Sequence, residues 1–236
     1  MVLHYSISKD IFAKFPTYCR GVVIARDVTN GKSPEELVSA LRLAEASLGE
    51  RLSAETLTSH PQIESWREAY RSAGIKPSDF RPSVEALARR VLKKDLLPLI
   101  STLVDLGTLM SIQYLLPIGA HALDFVKQDI ALRMATGEEI FEPFGSDTIE
   151  HPNPGEIVFV EGNTVLTRRW TWRQAKHTLV VPETKYVEVN VDGLPPVTRE
   201  EVDRICQQVA AQVQKYCGGS IHYDILSQEN PRISLD

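Results

Sequence analysis

The feature that most constrains this chain is a nearly uncharged stretch at residues 99–116, in which Asp105 is the one charged residue. The stretch is too long for an ordinary strand, so we predict a buried helix. No run in the chain approaches the roughly 18 to 20 consecutive apolar residues that a membrane helix needs. The helix is therefore expected in the core of a folded domain, and the segment from Leu116 to Gly119 marks a break after it.

Capping signals predict further helices on either side of this stretch. A capping box at residues 33–36 begins one helix, and a second is expected at residues 61–72. A third, at residues 82–94 with Ser83 as its cap, carries the strongest basic cluster. Another capping box at residues 198–201 begins the last helix.

Short alternating or β-branched runs predict strands, most of them in the second half of the chain. They lie at residues 3–7, 20–27, 129–134, 156–160, 164–168, 178–181, 186–191 and 220–226. Because helices and strands mix without strict alternation, we predict an α+β fold with a largely antiparallel sheet flanked by helices. We expect one compact unit, in which an N-terminal α/β segment of residues 1–80 packs on a main domain of residues 81–236.

The composition is typical of a folded protein from a reducing compartment. Of the 236 residues, 43% are hydrophobic and 24% are charged. The three cysteines have no CxxC spacing, which argues against a disulfide framework and a cysteine-rich zinc site. Without an apolar leader, the chain is expected in the cytoplasm. A net charge of −5 implies that any RNA contact comes from a local basic patch.

Several short motifs occur in a defined order between residues 81 and 191. They are LVDL at 103–106, AHALD at 120–124 and DIALRMA at 129–135, the last followed by GEE. In this order and spacing they resemble the B3/B4 domain of the bacterial phenylalanyl-tRNA synthetase β subunit, over a little under half of the chain. RRWTWR at 168–173 is similar to a segment of free-standing relatives, where the synthetase has a glycine-rich loop that lines its pocket.

This resemblance implies a B3/B4-like fold and an editing activity. The synthetase domain hydrolyses tyrosine wrongly attached to the tRNA for phenylalanine, without a metal or other cofactor. The expected partner is aminoacyl-tRNA or the acceptor end of tRNA, with no membrane and no DNA partner. The chain departs from many relatives at Ser101 and Gly107, near which they have asparagines, so its substrate need not be the same.

Two residues match positions of the family's editing site and are the expected catalytic residues. His121 matches a histidine of the synthetase domain and is expected to orient the water or contact the 3′ adenosine. Without the resemblance, a histidine after Gly119 is more often a turn or capping residue. Glu188 lies on a strand that resembles the one carrying a glutamate into the synthetase pocket. A carboxyl group there would accept a hydrogen bond from a substrate hydroxyl.

The expected substrate-binding residues are Arg169, Trp172, Arg173 and Thr178. Guanidinium groups bind phosphate or carboxylate oxygens in pairs, and tryptophan offers a stacking surface. If the segment is a strand, Arg169, Thr171 and Arg173 share one face, which leaves a purely structural interpretation open. A plain turn role is the alternative for Thr178.

The expected tRNA-binding residues are the basic cluster of the third helix, Arg89, Arg90, Lys93 and Lys94. They are candidates for contact with the acceptor stem. The alternative is an ordinary solvated helix face, which is the usual meaning of such a run.

Three functions therefore remain open. The leading hypothesis is a trans-acting hydrolase that removes a mis-attached amino acid from tRNA. The alternatives are a non-catalytic module that binds tRNA or an amino acid, and a small-molecule hydrolase that does not use RNA. The sequence lacks the motifs of serine hydrolases, nucleotide-binding loops and zinc proteases.

Overall fold

Two β-sheets lie face to face in this chain, and helices cover the outer side of one of them. A computed structural model describes residues 2–146 and 148–235. Its α-helices are α1 (Lys9–Lys14), α2 (Glu35–Arg51), α3 (Pro61–Ser72), α4 (Ser83–Leu92), α5 (Thr102–Tyr114) and α6 (Arg199–Cys217). A short 3-10 helix at Leu57–Ser59 precedes α3.

The strands form one six-stranded and one four-stranded sheet. They are β1 (His4–Ile7), β2 (Cys19–Arg26), β3 (Ile118–Ala122), β4 (Ile130–Met134), β5 (Ile157–Glu161), β6 (Thr164–Arg168), β7 (Arg173–Gln174), β8 (Tyr186–Gly193), β9 (Ser220–Leu226) and β10 (Arg232–Ser234). The orders are β10-β1-β4-β5-β6-β7 and β3-β8-β2-β9. Only β1 and β4 pair in parallel among these strands of the described residues.

The predicted α+β class and largely antiparallel pairing are confirmed, but the strands divide between two sheets rather than one. Alternation along a strand indicates which face is buried, and it does not indicate which strands pair. Strands from the first 80 residues enter both sheets, because β1 lies between β10 and β4 and β2 lies between β8 and β9. The division into a segment of residues 1–80 and a main domain stays a prediction.

The four-stranded sheet has an apolar outer face and a mixed inner face. On the outer face, Val23 and Val189 pack with residues of α2, α5 and α6. This packing is close, because a Cβ built at Gly21 would lie 2.0 Å from the sulfur of Cys206. On the inner face, Val22 and Ile24 join a core that includes residues of the six-stranded sheet. Polar side chains alternate with the apolar ones on these strands, and they build the site described below.

All five predicted helices are confirmed, and two of the predicted caps are wrong. The buried helix of residues 99–116 is α5, and the capping box of α6 is present, with Thr198 and Glu201 exchanging hydrogen bonds. Ser33 does not cap α2, because its hydroxyl donates to the Asp105 carboxylate at 2.6 Å and Pro34 occupies the cap position. Ser83 is the first residue of α4, which Pro82 precedes.

One predicted strand and one predicted break are also wrong. Residues 178–181 form no strand, although their β-branched residues favour one. Conversely, β3 begins inside the segment that was expected to be a break. Pro117 immediately precedes it, and Ile118 to Ala122 pair with β8. The three cysteines are buried and free. In the part of the chain that is described, no helix is long and apolar enough to cross a membrane.

Candidate active site

A cleft of about 710 Å³ opens between the two sheets and beside α5. Its size falls within the range of about 300 to 1,000 Å³ that is usual for small-molecule sites. The inner faces of β3, β6 and β8 contribute polar groups to it, while α5 and the loop before β8 contribute apolar walls. Exposed apolar side chains stand around its opening, namely Ile100, Phe144 and Val181.

The floor of the cleft contains a buried ion pair between Arg20 and Asp192. The guanidinium Nε lies 2.6 Å and Nη2 lies 3.1 Å from the two carboxylate oxygens, and Nη1 donates to the Tyr5 hydroxyl at 2.5 Å. Asn190 and the Tyr18 hydroxyl also donate to Asp192. Burial acts to lower the pKa of Arg20, but Asp192, Tyr18 and Tyr5 together outweigh burial, and the pKa lies above its usual value. Each charge is matched, so the floor has no free charge to attract an ion.

His121 lies on β3 and lines the cleft with only 5% of its surface exposed. Its Nδ1 lies 2.6 Å from the hydroxyl of Thr178, and its Nε2 lies 3.2 Å from the hydroxyl of Thr167. The ring packs edge-on against Phe159 at 5.0 Å between centroids. Burial lowers the pKa of His121 to about 3, with a smaller contribution from Arg20. The imidazole is therefore neutral at physiological pH.

Glu188 lies directly opposite His121 in the pairing of β3 with β8. Its side chain is completely buried, and neither carboxyl oxygen has a hydrogen-bond partner among the described residues. Burial raises its pKa to about 8, against a lowering effect of Arg20, so the carboxyl is mainly protonated at neutral pH. Glu188 does not line the cleft.

The predicted substrate-binding residues divide between the cleft wall and the layer behind it. Trp172 and Arg173 line the cleft. The Arg173 side chain is 37% exposed and forms an ion pair with Glu150 at 3.2 Å. Arg169 lies behind the wall, with its guanidinium 3.6 Å from the ring centre of Phe80 and 4.6 Å from that of Trp172. Burial lowers the pKa of Arg169, and its Nη1 has no hydrogen-bond partner among the described residues.

The expected strand alternation through RRWTWR is wrong. Strand β6 ends at Arg168, and Arg169 and Trp170 both adopt left-handed backbone conformations, with φ of 47° and 65°. Such conformations are uncommon for residues with side chains and require support from their surroundings. Tyr70 supplies it, because its hydroxyl donates to the Arg169 carbonyl at 2.7 Å and accepts from the Thr171 amide at 3.2 Å. The turn buries Trp170, and both Trp170 and Trp172 border the cleft.

Thr178 is fully buried and contacts His121 rather than lining the cleft. The two positions that depart from the family pattern, Ser101 and Gly107, both line the cleft. The Ser101 hydroxyl has no hydrogen-bond partner among the described residues. A Cβ at Gly107 would meet nothing within 4 Å, so glycine leaves open space on this wall.

Helix α4 begins at the cleft and carries its basic residues away from it. Ser83 lines the cleft, and Arg90 lies about 10 Å further along the helix axis. Arg89 forms an ion pair at 2.8 Å with the buried Glu85, and Glu85 also binds Arg67. The side chains of Arg90, Lys93 and Lys94 are exposed, and none of these three has an ion-pair partner within the described ranges.

Several polar residues of the cleft were not predicted from the sequence, among them Arg20, Thr167, Asn190 and Asp192. The signal for two of them was present in β8, where Glu188, Asn190 and Asp192 alternate with three buried valines. Polar residues that repeat on one face of a buried strand indicate a site or a polar network. Thr167 has no comparable signal in the sequence, because threonine is common on any strand.

The arrangement can orient and polarise a bound group without a formal charge. A neutral imidazole and hydroxyl groups lie beside apolar walls, in an environment that strengthens hydrogen bonds. No group of three or more histidine, cysteine, aspartate or glutamate side chains within residues 2–146 and 148–235 is placed to hold a metal ion.

Comparisons with known proteins place these features in a family context. A family model described as the B3/4 domain matches residues 65–218. The crystal structure of an N-terminal fragment of the phenylalanyl-tRNA synthetase beta-subunit from Pyrococcus horikoshii is similar, with a TM-score of 0.48 and 11% sequence identity. That match covers 98% of this chain and 53% of the fragment, so the chain spans about half of the fragment's length. Among curated proteins, no match was found.

Proposed function

The chain belongs to the B3/4 domain family, and from that premise we propose that it is a trans-acting hydrolase that removes a mis-attached amino acid from tRNA. The observation that carries the proposal is the neutral His121, held between two hydroxyl groups at the wall of a cleft large enough for an aminoacyl group. Hydrolysis of an activated ester needs an oriented water and hydrogen bonds to the developing oxyanion.

The reaction is the cleavage of one ester by one water molecule. The water oxygen bonds to the carbonyl carbon, and the bond from that carbon to the ribose oxygen breaks. One proton of water passes to the ribose oxygen, and the second is released as the amino acid leaves as a carboxylate. We assign His121 to the orientation of the reacting groups, since a neutral imidazole with a pKa of about 3 is a weak base.

The cleft walls support recognition of an amino acid with a large side chain. Trp172 offers a stacking surface, and Arg173 beside it is half-exposed at the opening. Gly107 leaves additional space on the α5 wall. Glu188 is proposed as a partner for a substrate hydroxyl, because it is neutral and its oxygens have no partner among the described residues, although it lies behind the cleft surface.

We place the tRNA acceptor stem along α4. The helix starts at the cleft, and Arg90, Lys93 and Lys94 present exposed positive charge beyond it. Arg89 is a weaker candidate, since Glu85 already neutralises its charge. Arg169 supports the site from behind by holding Trp172, and Thr178 supports it by holding His121.

The test is deacylation of a panel of misacylated tRNAs, beginning with tyrosyl-tRNA for phenylalanine. We expect the wild-type protein to release one amino acid rapidly. Arg173→Ala should raise KM by about tenfold, which corresponds to the loss of one charge-assisted contact. Arg232→Ala is the matched control, because Arg232 is also exposed and paired with a carboxylate but lies on β10.

Two results would contradict the proposal. Binding of tRNA without release of any amino acid would indicate the non-catalytic module. Release from free aminoacyl esters at the same rate as from aminoacyl-tRNA would indicate a small-molecule hydrolase.

A further inference from the structure

The hydrogen bonds around His121 determine which of its nitrogens carries the proton. Gln174 approaches Nδ1 at 3.3 Å, but its amide nitrogen has two protons, and these are used by the carbonyls of Ala120 at 3.1 Å and Thr178 at 3.0 Å. The remaining contact of Nδ1 is the Thr178 hydroxyl at 2.6 Å. The tautomer therefore depends on the two threonines.

Thr178 favours one tautomer over the other. Its hydroxyl is fully buried, and His121 Nδ1 is the only acceptor it contacts among the described residues. If Nδ1 carried a proton, the Thr178 hydroxyl proton would be buried without an acceptor, which is costly. The Thr178 hydroxyl must then donate to Nδ1. It follows that Nε2 carries the ring proton and donates to the Thr167 hydroxyl oxygen at 3.2 Å.

Thr167 is the last hydroxyl in the series of hydrogen bonds that runs from Thr178 through His121. It lies on β6 and lines the cleft, and the one hydrogen bond of its hydroxyl to a described side chain is the one to His121. Its oxygen accepts from Nε2, so its own proton is left for a group inside the cleft. Each hydrogen bond in this series polarises the next one, so the Thr167 hydroxyl becomes a stronger donor.

We propose that the Thr167 hydroxyl donates a hydrogen bond to the substrate carbonyl oxygen and stabilises the oxyanion that forms there. The inference rests on the proposed function and assigns Thr167 as the catalytic residue that touches the ester. His121 and Thr178 are positioning residues that act through it. The proton of Thr167 is shared and not transferred, so the balance of the hydrolysis is unchanged. The low pKa of His121 supports this role, since a neutral ring keeps the direction of donation fixed.

The first test compares Thr167→Val, Thr167→Ser and Thr164→Val in single-turnover and steady-state deacylation. Thr164 lies at the exposed start of the same strand and provides the matched control. We expect Thr167→Val to lower kcat about 100-fold with little change in KM, as for the loss of one oxyanion donor. Thr167→Ser retains the hydroxyl and should stay within about tenfold of the wild type. Thr164→Val should match the wild type.

The second test reads the tautomer directly from the ¹⁵N chemical shifts of His121 in the wild-type protein. A protonated Nε2 and an unprotonated Nδ1 support the inference. A proton on Nδ1 overturns it, because Thr167 would then donate to the ring and offer only lone pairs to the cleft. Equal kcat of Thr167→Val and the wild type also overturns it. If the wild-type protein releases no amino acid, the proposed function itself fails. The wild-type control separates that outcome from a failure of the Thr167 assignment alone.

Discussion

At the scale of single residues, Glu188 is a carboxyl group that is completely buried and has no hydrogen-bond partner among the described residues. A carboxyl with a pKa raised to about 8 by burial binds its proton more tightly in the folded than in the unfolded protein. The unfolded chain releases this proton above a pKa of about 4.5. The stabilising contribution is thus complete below that value and is lost as the pH rises toward about 8.

This linkage predicts the behaviour of Glu188→Gln, which is neutral at every pH. Between about pH 5.5 and pH 7.5, the free energy of unfolding of the wild type should fall relative to that of the variant by roughly 2 kcal/mol. Denaturant unfolding at a series of pH values measures the difference. Glu138→Gln, at an exposed glutamate, is the control and should follow the wild type. Parallel curves for Glu188→Gln and the wild type would contradict the raised pKa.

The residue scale also shows what a sequence can and cannot reveal about a site. His121 was predicted to be a catalytic residue through a resemblance, and the structure adds that both of its ring nitrogens lie within hydrogen-bond distance of hydroxyl groups. Thr167 comes from a different sheet, and its proximity to His121 depends on how the two sheets face each other. No spacing along the chain encodes that contact.

At the scale of elements, α4 connects the cleft to the exposed basic residues. If these residues contact phosphates, Arg90→Ala/Lys93→Ala should weaken tRNA binding and reduce the slope of log affinity against log salt by about 1.5 to 2. Arg199→Ala/Arg204→Ala removes the same charge from α6, which packs on the outer face of the four-stranded sheet. Titrations at several salt concentrations provide the measurement. Equal slopes for both double variants would contradict a specific role of α4.

Elements with a capping signal or a long apolar run were predictable, and elements defined by pairing were not. The α6 capping box and the buried α5 follow from local interactions. In contrast, β3 exists because β8 offers it a pairing edge, despite the proline before it. The segment at 178–181 has strand-forming residues, yet it forms no strand and instead lines the cleft through Leu179, Val180 and Val181.

At the scale of the whole molecule, the cleft exists because two sheets with polar inner residues do not close completely against each other. The α+β class was predictable from the mixture of periodicities. The two-sheet arrangement was not predictable, because it depends on long-range pairings such as that of β1 with β4. The pairing of β2 with β8, which is also long-range, brings Arg20 beside Asp192 and places their ion pair at the floor of the cleft.

The most direct test of the central claim is binding of an acceptor-end analogue to the cleft. The probe is an aminoacyl adenosine in which an amide replaces the ester, carrying the amino acid released in the deacylation panel. Its binding to isotope-labelled protein is followed by amide and methyl NMR spectra. We predict shifts centred on Thr167, Trp172 and Gln174, together with competitive inhibition of deacylation. Binding that leaves these residues unperturbed, or inhibition that is not competitive, would contradict the assignment of the cleft as the site of hydrolysis.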